Sequence, residues 1–171
     1  SGAHAAFPET RLASGKFHFE LYGGVQPRDP RRWDDLRARI MKTGVRNALV
    51  IAIAPTATIA SIVGACECIE PQVSNVFKRE TLSGEFMQVN KYLVADLKKL
   101  GLWDEAMRNR IKLAEGSVLD IAEIPAELRQ VYRTAWELPQ RALIDMAAER
   151  GAYIDQSQSL NLFVESPNIG K

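Results

Sequence analysis

The chain has 171 residues, 46% of them hydrophobic, enough for one domain with a sizeable core. Its 22 basic and 21 acidic residues leave a formal net charge of +1, which gives no bulk attraction to nucleic acid or an anionic membrane. It displays no secretory or transit segment and no apolar run long enough to span a bilayer, so the expected location is the cytoplasm. Because it begins Ser-Gly-Ala without methionine, the expectation is a processed or excised piece.

Residues 1–28 form an irregular opening segment punctuated by Pro8, Gly15, Gly23, Gly24 and Pro27. Weak alternation through Phe17, Phe19 and Leu21 allows a short strand there. Asp29-Pro30 is a helix start, with Asp as cap and Pro at the first helical position. Trp33, Leu36, Ile40 and Met41 then share one apolar face, and Gly44 ends the helix. Arg31, Arg32, Arg37 and Arg39 fall mostly on the other side, as a solvated face rather than an anion-binding patch.

Residues 48–54, ALVIAIA, predict a strand buried on both faces. Pro55 ends the run, Thr56 or Thr58 can cap a short helix, Ile59, Ile62 and Val63 share its apolar side, and Gly64 stops it. In a strand–turn–helix the first free N–H groups of the helix point off the sheet and can hold an anion such as phosphate. The same spacing also fits an ordinary capped turn. Neither GxxxxGK[ST] nor GxGxxG occurs. Cys66 and Cys68 are too close in sequence for an unstrained bridge, and His4 and His18 are remote from them. Two reduced, partly buried thiols and no metal site are therefore expected.

Residues 72–81 can be extended, with a turn at Ser83-Gly84. Asn90 caps a helix carrying Leu93, Leu97 and Leu100, and the next starts near Asp104 with Met107 and Ile111 on its face. Pro125 opens a helix striped by Leu128, Val131, Tyr132, Ala135 and Trp136. Pro139 opens another, with Leu143, Met146 and Ala147, closed by Gly151. Alternation through Leu160, Leu162 and Val164 predicts a closing strand over 160–164. The polar cluster Gln156, Ser157, Gln158 and Ser159 either satisfies backbone around a buried turn or walls a polar ligand site. The expected architecture is α/β: one unit, residues 1–171, whose part 29–171 is helices around strands 48–54 and 160–164. So few strands cannot bury 48–54 on both faces, and the missing ones are expected outside these residues.

The strings RNALVIAIAPTATIASI, CIEPQVSNVFKRETLSGEF, VNKYLVADLKKLGLW, EIPAELRQVYRTAW and MAAERGAYIDQSQSLN follow in this order. From about Phe17 onward they resemble the large catalytic subunit of class I ribonucleotide reductase. The resemblance implies a helix-rich partial segment of that family's ten-stranded α/β barrel. It implies a part in reducing ribonucleoside diphosphates to deoxyribonucleotides through a cysteine thiyl radical. PTATI matches the family's substrate-phosphate loop, so Pro55, Thr56, Ala57, Thr58 and Ile59 are expected to hold the substrate diphosphate.

The family's radical cysteine, reducing cysteines and radical-relay tyrosines have no counterpart here, so neither a catalytic residue nor a bound cofactor or metal is expected in this chain. The small subunit's metal/radical cofactor, the dithiol reductant and the ATP/dATP effectors belong elsewhere in the enzyme. Cys66 and Cys68 fall where the family has no catalytic cysteine. Implied partners are the diphosphate substrate, the small subunit and a second large subunit, with neither nucleic acid nor membrane. The competing reading is a non-catalytic anion-binding or helical protein-interaction module. A closed core would mark the module, and bare strand edges with apolar surface would mark a piece of barrel.

Overall fold

The computed structural model describes residues 2–81 and 84–166. Three 3-10 turns, Phe7–Glu9, Arg11–Ser14 and His18–Leu21, lead into helix α1, Pro30–Thr43. After an extended stretch come α2, Ala57–Val63, and a hairpin of β1, Val76–Thr81, and β2, Gly84–Val89. Helices α3, Lys91–Lys99, α4, Glu105–Leu113, and α5, Ala126–Val131, follow. A 3-10 turn at Ala135–Glu137 then leads to α6, Gln140–Gly151.

The helix starts follow from local chemistry. Asp29 accepts the Arg32 N–H at 3.3 Å, Asn90 accepts those of Tyr92 and Leu93 at 3.1 and 3.4 Å, and Asp104 accepts that of Met107 at 2.7 Å. Helices α3 and α4 then turn Leu93, Leu97, Met107 and Ile111 into a core completed by Val76, Val118, Ile121 and Ile124. Leu128 and Tyr132 pack on its edge, while Leu100, Val131 and Trp136 stay exposed. The stripe expected to run on to Trp136 is cut because α5 ends at Val131. Of the apolar residues expected along α6, Leu143 and Ala147 are buried and Met146 is exposed.

Asn75 ties this core to the hairpin. Its carboxamide donates to the carbonyls of Gly116 at 2.9 Å and Tyr132 at 2.7 Å and accepts from Asn90 at 2.9 Å. The hairpin is antiparallel in the register Val76↔Val89 through Thr81↔Gly84. Ser83, expected in its turn, lies outside the described residues.

A second cluster joins Phe17, Phe19 and Ala152, with Trp33 and Ile40 of α1 packed on it. The alternation at Phe17, Phe19 and Leu21 is not a strand. The Glu20 carboxylate accepts the Phe17 N–H at 2.7 Å and closes a 3-10 turn instead. Arg37 likewise leaves the solvated row. It pairs with Glu20 at 2.8 Å, bonds the Gly15 carbonyl and lies 4.8 Å over the Phe17 ring.

Neither 48–54 nor 160–164 forms a strand. Residues 48–54 are extended, yet Val50 is 71% exposed, and a single parallel bridge joins Ile53 to Gln158, with Ser159 N–H donating to Ile53 O at 2.8 Å. Elsewhere side chains take the backbone donors that a neighbouring strand would use. Asp155 accepts the N–H groups of Val50 and Ile51 at 2.9 and 3.0 Å. Glu70 takes that of Asn161 at 3.1 Å, and Gln140 that of Phe163 at 2.7 Å. Within the described residues 48–54 is not buried on both faces, because they supply no flanking strands. Among the described residues, no helix is long and apolar enough to cross a membrane.

Candidate functional site

The residues singled out from the sequence, Pro55, Thr56, Ala57, Thr58 and Ile59, lie together where the extended run enters α2, and all five are exposed. Thr56 sits at φ 53°, ψ 19°, a left-handed conformation that β-branched residues rarely adopt. Backbone strain of this kind costs on the order of 1–3 kcal/mol and persists only where its surroundings over-determine it. Thr56 occupies the capping position, but its hydroxyl does not cap the helix. It accepts the Cys68 N–H at 3.3 Å, and the same N–H reaches the Pro55 carbonyl at 3.0 Å.

The first helical bond runs from Ala60 N–H to Thr56 O at 2.7 Å. The N–H groups of Ala57, Thr58 and Ile59 therefore precede the ladder. In this exposed first turn they are donors to whatever occupies it. At its far side Ser61 anchors the helix, donating to the Ala57 carbonyl at 3.0 Å and to Glu67 at 3.2 Å.

Behind the turn lies a polar assembly that the sequence did not disclose. Cys68 is itself left-handed, at φ 59°, and its thiol donates to Pro55 O at 3.4 Å while accepting from the Asn161 carboxamide at 3.4 Å. Asn161 also meets both carboxylate oxygens of Glu70, through its N–H at 3.1 Å and its carboxamide at 3.3 Å. Burial pushes the Glu70 carboxyl upward, but hydrogen bonds from Asn161, from Glu70's own backbone and from the Cys68 thiol together outweigh it and hold the group below the ordinary carboxylate range. Burial first, and then the Glu70 charge, raise the Cys68 thiol above its usual value, so the thiol rather than the nucleophilic thiolate is favoured. Cys66 is exposed and accepts from Gln72 at 3.0 Å.

An open cavity of about 670 Å³ lies beside this assembly, lined among others by Glu70, Gln72, Phe77, Lys91, Asn161 and Phe163. The residues 55–59 are not among its lining. The polar run after α6 serves backbone pairing: Gln158 donates to Ala147 O at 2.6 Å, and Ser159 bonds Ile53. Among the described residues, no three His, Cys, Asp or Glu side chains gather as a metal site.

The ribonucleotide reductase barrel-domain family matches residues 1–171. The ribonucleoside-diphosphate reductase large subunit of Trypanosoma brucei brucei is 54% identical over 178 residues, covering 97% of this chain and 21% of the relative. That of Arabidopsis thaliana is 44% identical over 182 residues, covering 98% of this chain and 22% of the relative. Among solved structures, the Actinobacillus ureae class Id ribonucleotide reductase alpha subunit superposes with a TM-score of 0.62 at 31% identity, over 76% of this chain and 24% of that one. This chain thus spans about a fifth of the length of its curated relatives. Two stretches joined side by side by a single parallel bridge, Ile53 to Gln158, with no further strand pairing between them among the described residues, are what a part of a larger barrel would present. The chain belongs to the ribonucleotide reductase barrel-domain family, as a helix-rich segment of that barrel.

Proposed function

We propose that this chain is the part of a ribonucleoside-diphosphate reductase large subunit that grips the substrate's diphosphate, through the N–H groups and hydroxyls of residues 55–59. The observation that carries the proposal is the Thr56 turn. A strained, exposed threonine opens a helix whose leading N–H groups are free of the ladder, in a chain whose relatives are named as large subunits of this enzyme. Such donors suit a phosphate, and fixing it orients the ribose for reaction. The helix has only seven residues, so the individual N–H groups matter more than the summed dipole.

Under this proposal the whole subunit reduces ribonucleoside diphosphates to deoxyribonucleotides by a thiyl-radical route in the cytoplasm. It works with a radical-generating small subunit, a dithiol reductant, a second large subunit and nucleotide effectors. The residues that carry the radical chemistry belong to other parts of the subunit, and this chain's contribution is binding and orientation.

Thr58→Glu in the full-length subunit tests the site. An acidic residue in the first turn suits the helix, so folding is retained. Its charge at about 5 Å from a phosphate opposes binding by about 3 kcal/mol at an effective dielectric of 20. The expected result is a KM for the ribonucleoside diphosphate raised more than tenfold with an unchanged Tm. An unchanged KM refutes the proposal.

A further inference from the structure

Two left-handed residues without glycine's freedom, Thr56 and Cys68, face each other across the turn, each joined to the other through the Cys68 N–H. What holds Cys68 there comes from the far end of the chain. Asn161 uses every donor it has: its N–H and one carboxamide hydrogen go to Glu70, and the other carboxamide hydrogen goes to the Cys68 sulfur. Glu70 is only 7% exposed and lies 91 residues from Asn161. A carboxylate so buried is costly unless its oxygens are satisfied, and Asn161 satisfies one with its N–H and the other with its carboxamide.

We infer that Glu70 and Asn161 are positioning residues for the diphosphate-binding turn, acting through Cys68 on Pro55 and Thr56 without touching the substrate. The inference rests on the proposed role of residues 55–59. In mechanical terms the route is short. Glu70 fixes Asn161, Asn161 fixes the Cys68 thiol, and the Cys68 N–H and thiol together fix the Pro55 carbonyl and the Thr56 hydroxyl. If Cys68 shifts, Thr56 loses the contacts that keep it left-handed, and the leading N–H groups of α2 turn with it.

Glu70→Gln tests this, because it keeps the shape of the side chain but sets an amide NH2 against the Asn161 NH2. In the full-length subunit with its small subunit and dithiol reductant, the expected result is a KM for the ribonucleoside diphosphate raised about tenfold, with kcat within twofold of the parent. The exchanged pair Glu70→Gln with Asn161→Asp restores one donor facing one acceptor between the two side chains but leaves the Cys68 sulfur without its carboxamide donor, so KM is expected to stay raised, and a KM back at the parent value overturns the inference. A merely structural carboxylate would lower the amount of active enzyme, and so kcat, and leave KM alone; that outcome overturns the inference. If Glu70→Gln does not fold, Glu70→Asp keeps the charge and draws Asn161 back by one methylene. Its KM must still rise, and an unchanged KM in folded Glu70→Asp overturns the inference. Thr58→Glu separates the two layers. A raised KM there with an unchanged KM in Glu70→Gln defeats only the positioning role, whereas an unchanged KM in Thr58→Glu removes the phosphate site and the positioning role together.

Discussion

Asp155 is expected to hold the run that leads into the turn at residues 55–59, and its removal should loosen that run. Its two oxygens accept from consecutive N–H groups, Val50 at 2.9 Å and Ile51 at 3.0 Å. Hydrogen bonds to a charged group contribute about 1.5–3 kcal/mol each, and these exposed ones belong at the low end. Asp155→Asn keeps one neutral bond of about 1 kcal/mol and turns an NH2 toward the second donor, for a net loss of about 2 kcal/mol. That is about a thirtyfold increase in the population of the open segment. Hydrogen exchange read by mass spectrometry on the full-length subunit measures it directly. Peptides covering residues 49–54 should exchange about thirtyfold faster, in line with that loss. Peptides from α4 should keep their rates, since that helix belongs to a separate apolar cluster. Unchanged exchange at Val50 and Ile51 refutes the reasoning, and equal acceleration in α4 refutes its locality.

Two further substitutions test the core that carries the hairpin. Gly116 has φ +87°, and a Cβ there would meet the Ser74 hydroxyl and lie 2.8 Å from Asn75 N and 2.9 Å from Val76 N. Gly116→Ala should cost about 2–4 kcal/mol, from left-handed strain and overpacking together, read as a fall in Tm; an unchanged Tm would contradict the geometry. Tyr132 donates to Asp96 at 2.6 Å, and burial together with that carboxylate pushes its phenol up to about 12. Because the folded value is raised above the ordinary 10.0, the stabilisation is complete below pH 10 and is lost as pH rises toward 12. Tyr132→Phe should therefore be less stable than the parent at pH 8, with the gap closing between pH 10 and pH 12. A gap that stays constant would show that the hydrogen bond to Asp96 is not its source.

Short-range chemistry was legible in the sequence, and long-range partnership was not. Asp29, Asn90 and Asp104 cap helices because each accepts from an N–H two or three residues ahead, a pattern visible in any seven-residue window. The apolar run 48–54 read as a buried strand because strand and partners are normally present together. Here its donors end on a side chain about a hundred residues away, which no local pattern encodes. The positions of Thr56 and Ile59 at the mouth of α2 were legible, but the support beneath them was not. Nothing in the spacing of Cys68, Glu70 and Asn161 announces that they meet. A buried glutamate beside a proline, and an asparagine inside an otherwise alternating apolar stretch, were the available signals, since each is a polar group in a setting where it must find a partner.

The two faces of α2 show how the work is divided. Ile62, 78% exposed, with Ile59 and Val63 forms an apolar stripe that none of the described residues covers, and Leu49, Val50 and Ile51 continue the bare surface upstream. A self-contained interaction module would have to keep that surface in water, which argues against the competing reading and for a segment packed within a larger barrel. The N-terminal turn of the same helix is held without help from that stripe, by the polar contacts of Cys68, Glu70 and Asn161 approaching from behind. Apolar packing responds to whatever lies against it, whereas a hydrogen bond fixes both distance and direction. A phosphate cradle of the kind proposed for residues 55–59 would tolerate little displacement of its donors, and supporting it on the directional contacts would let the apolar side of the helix adjust to its neighbours while the turn keeps its shape.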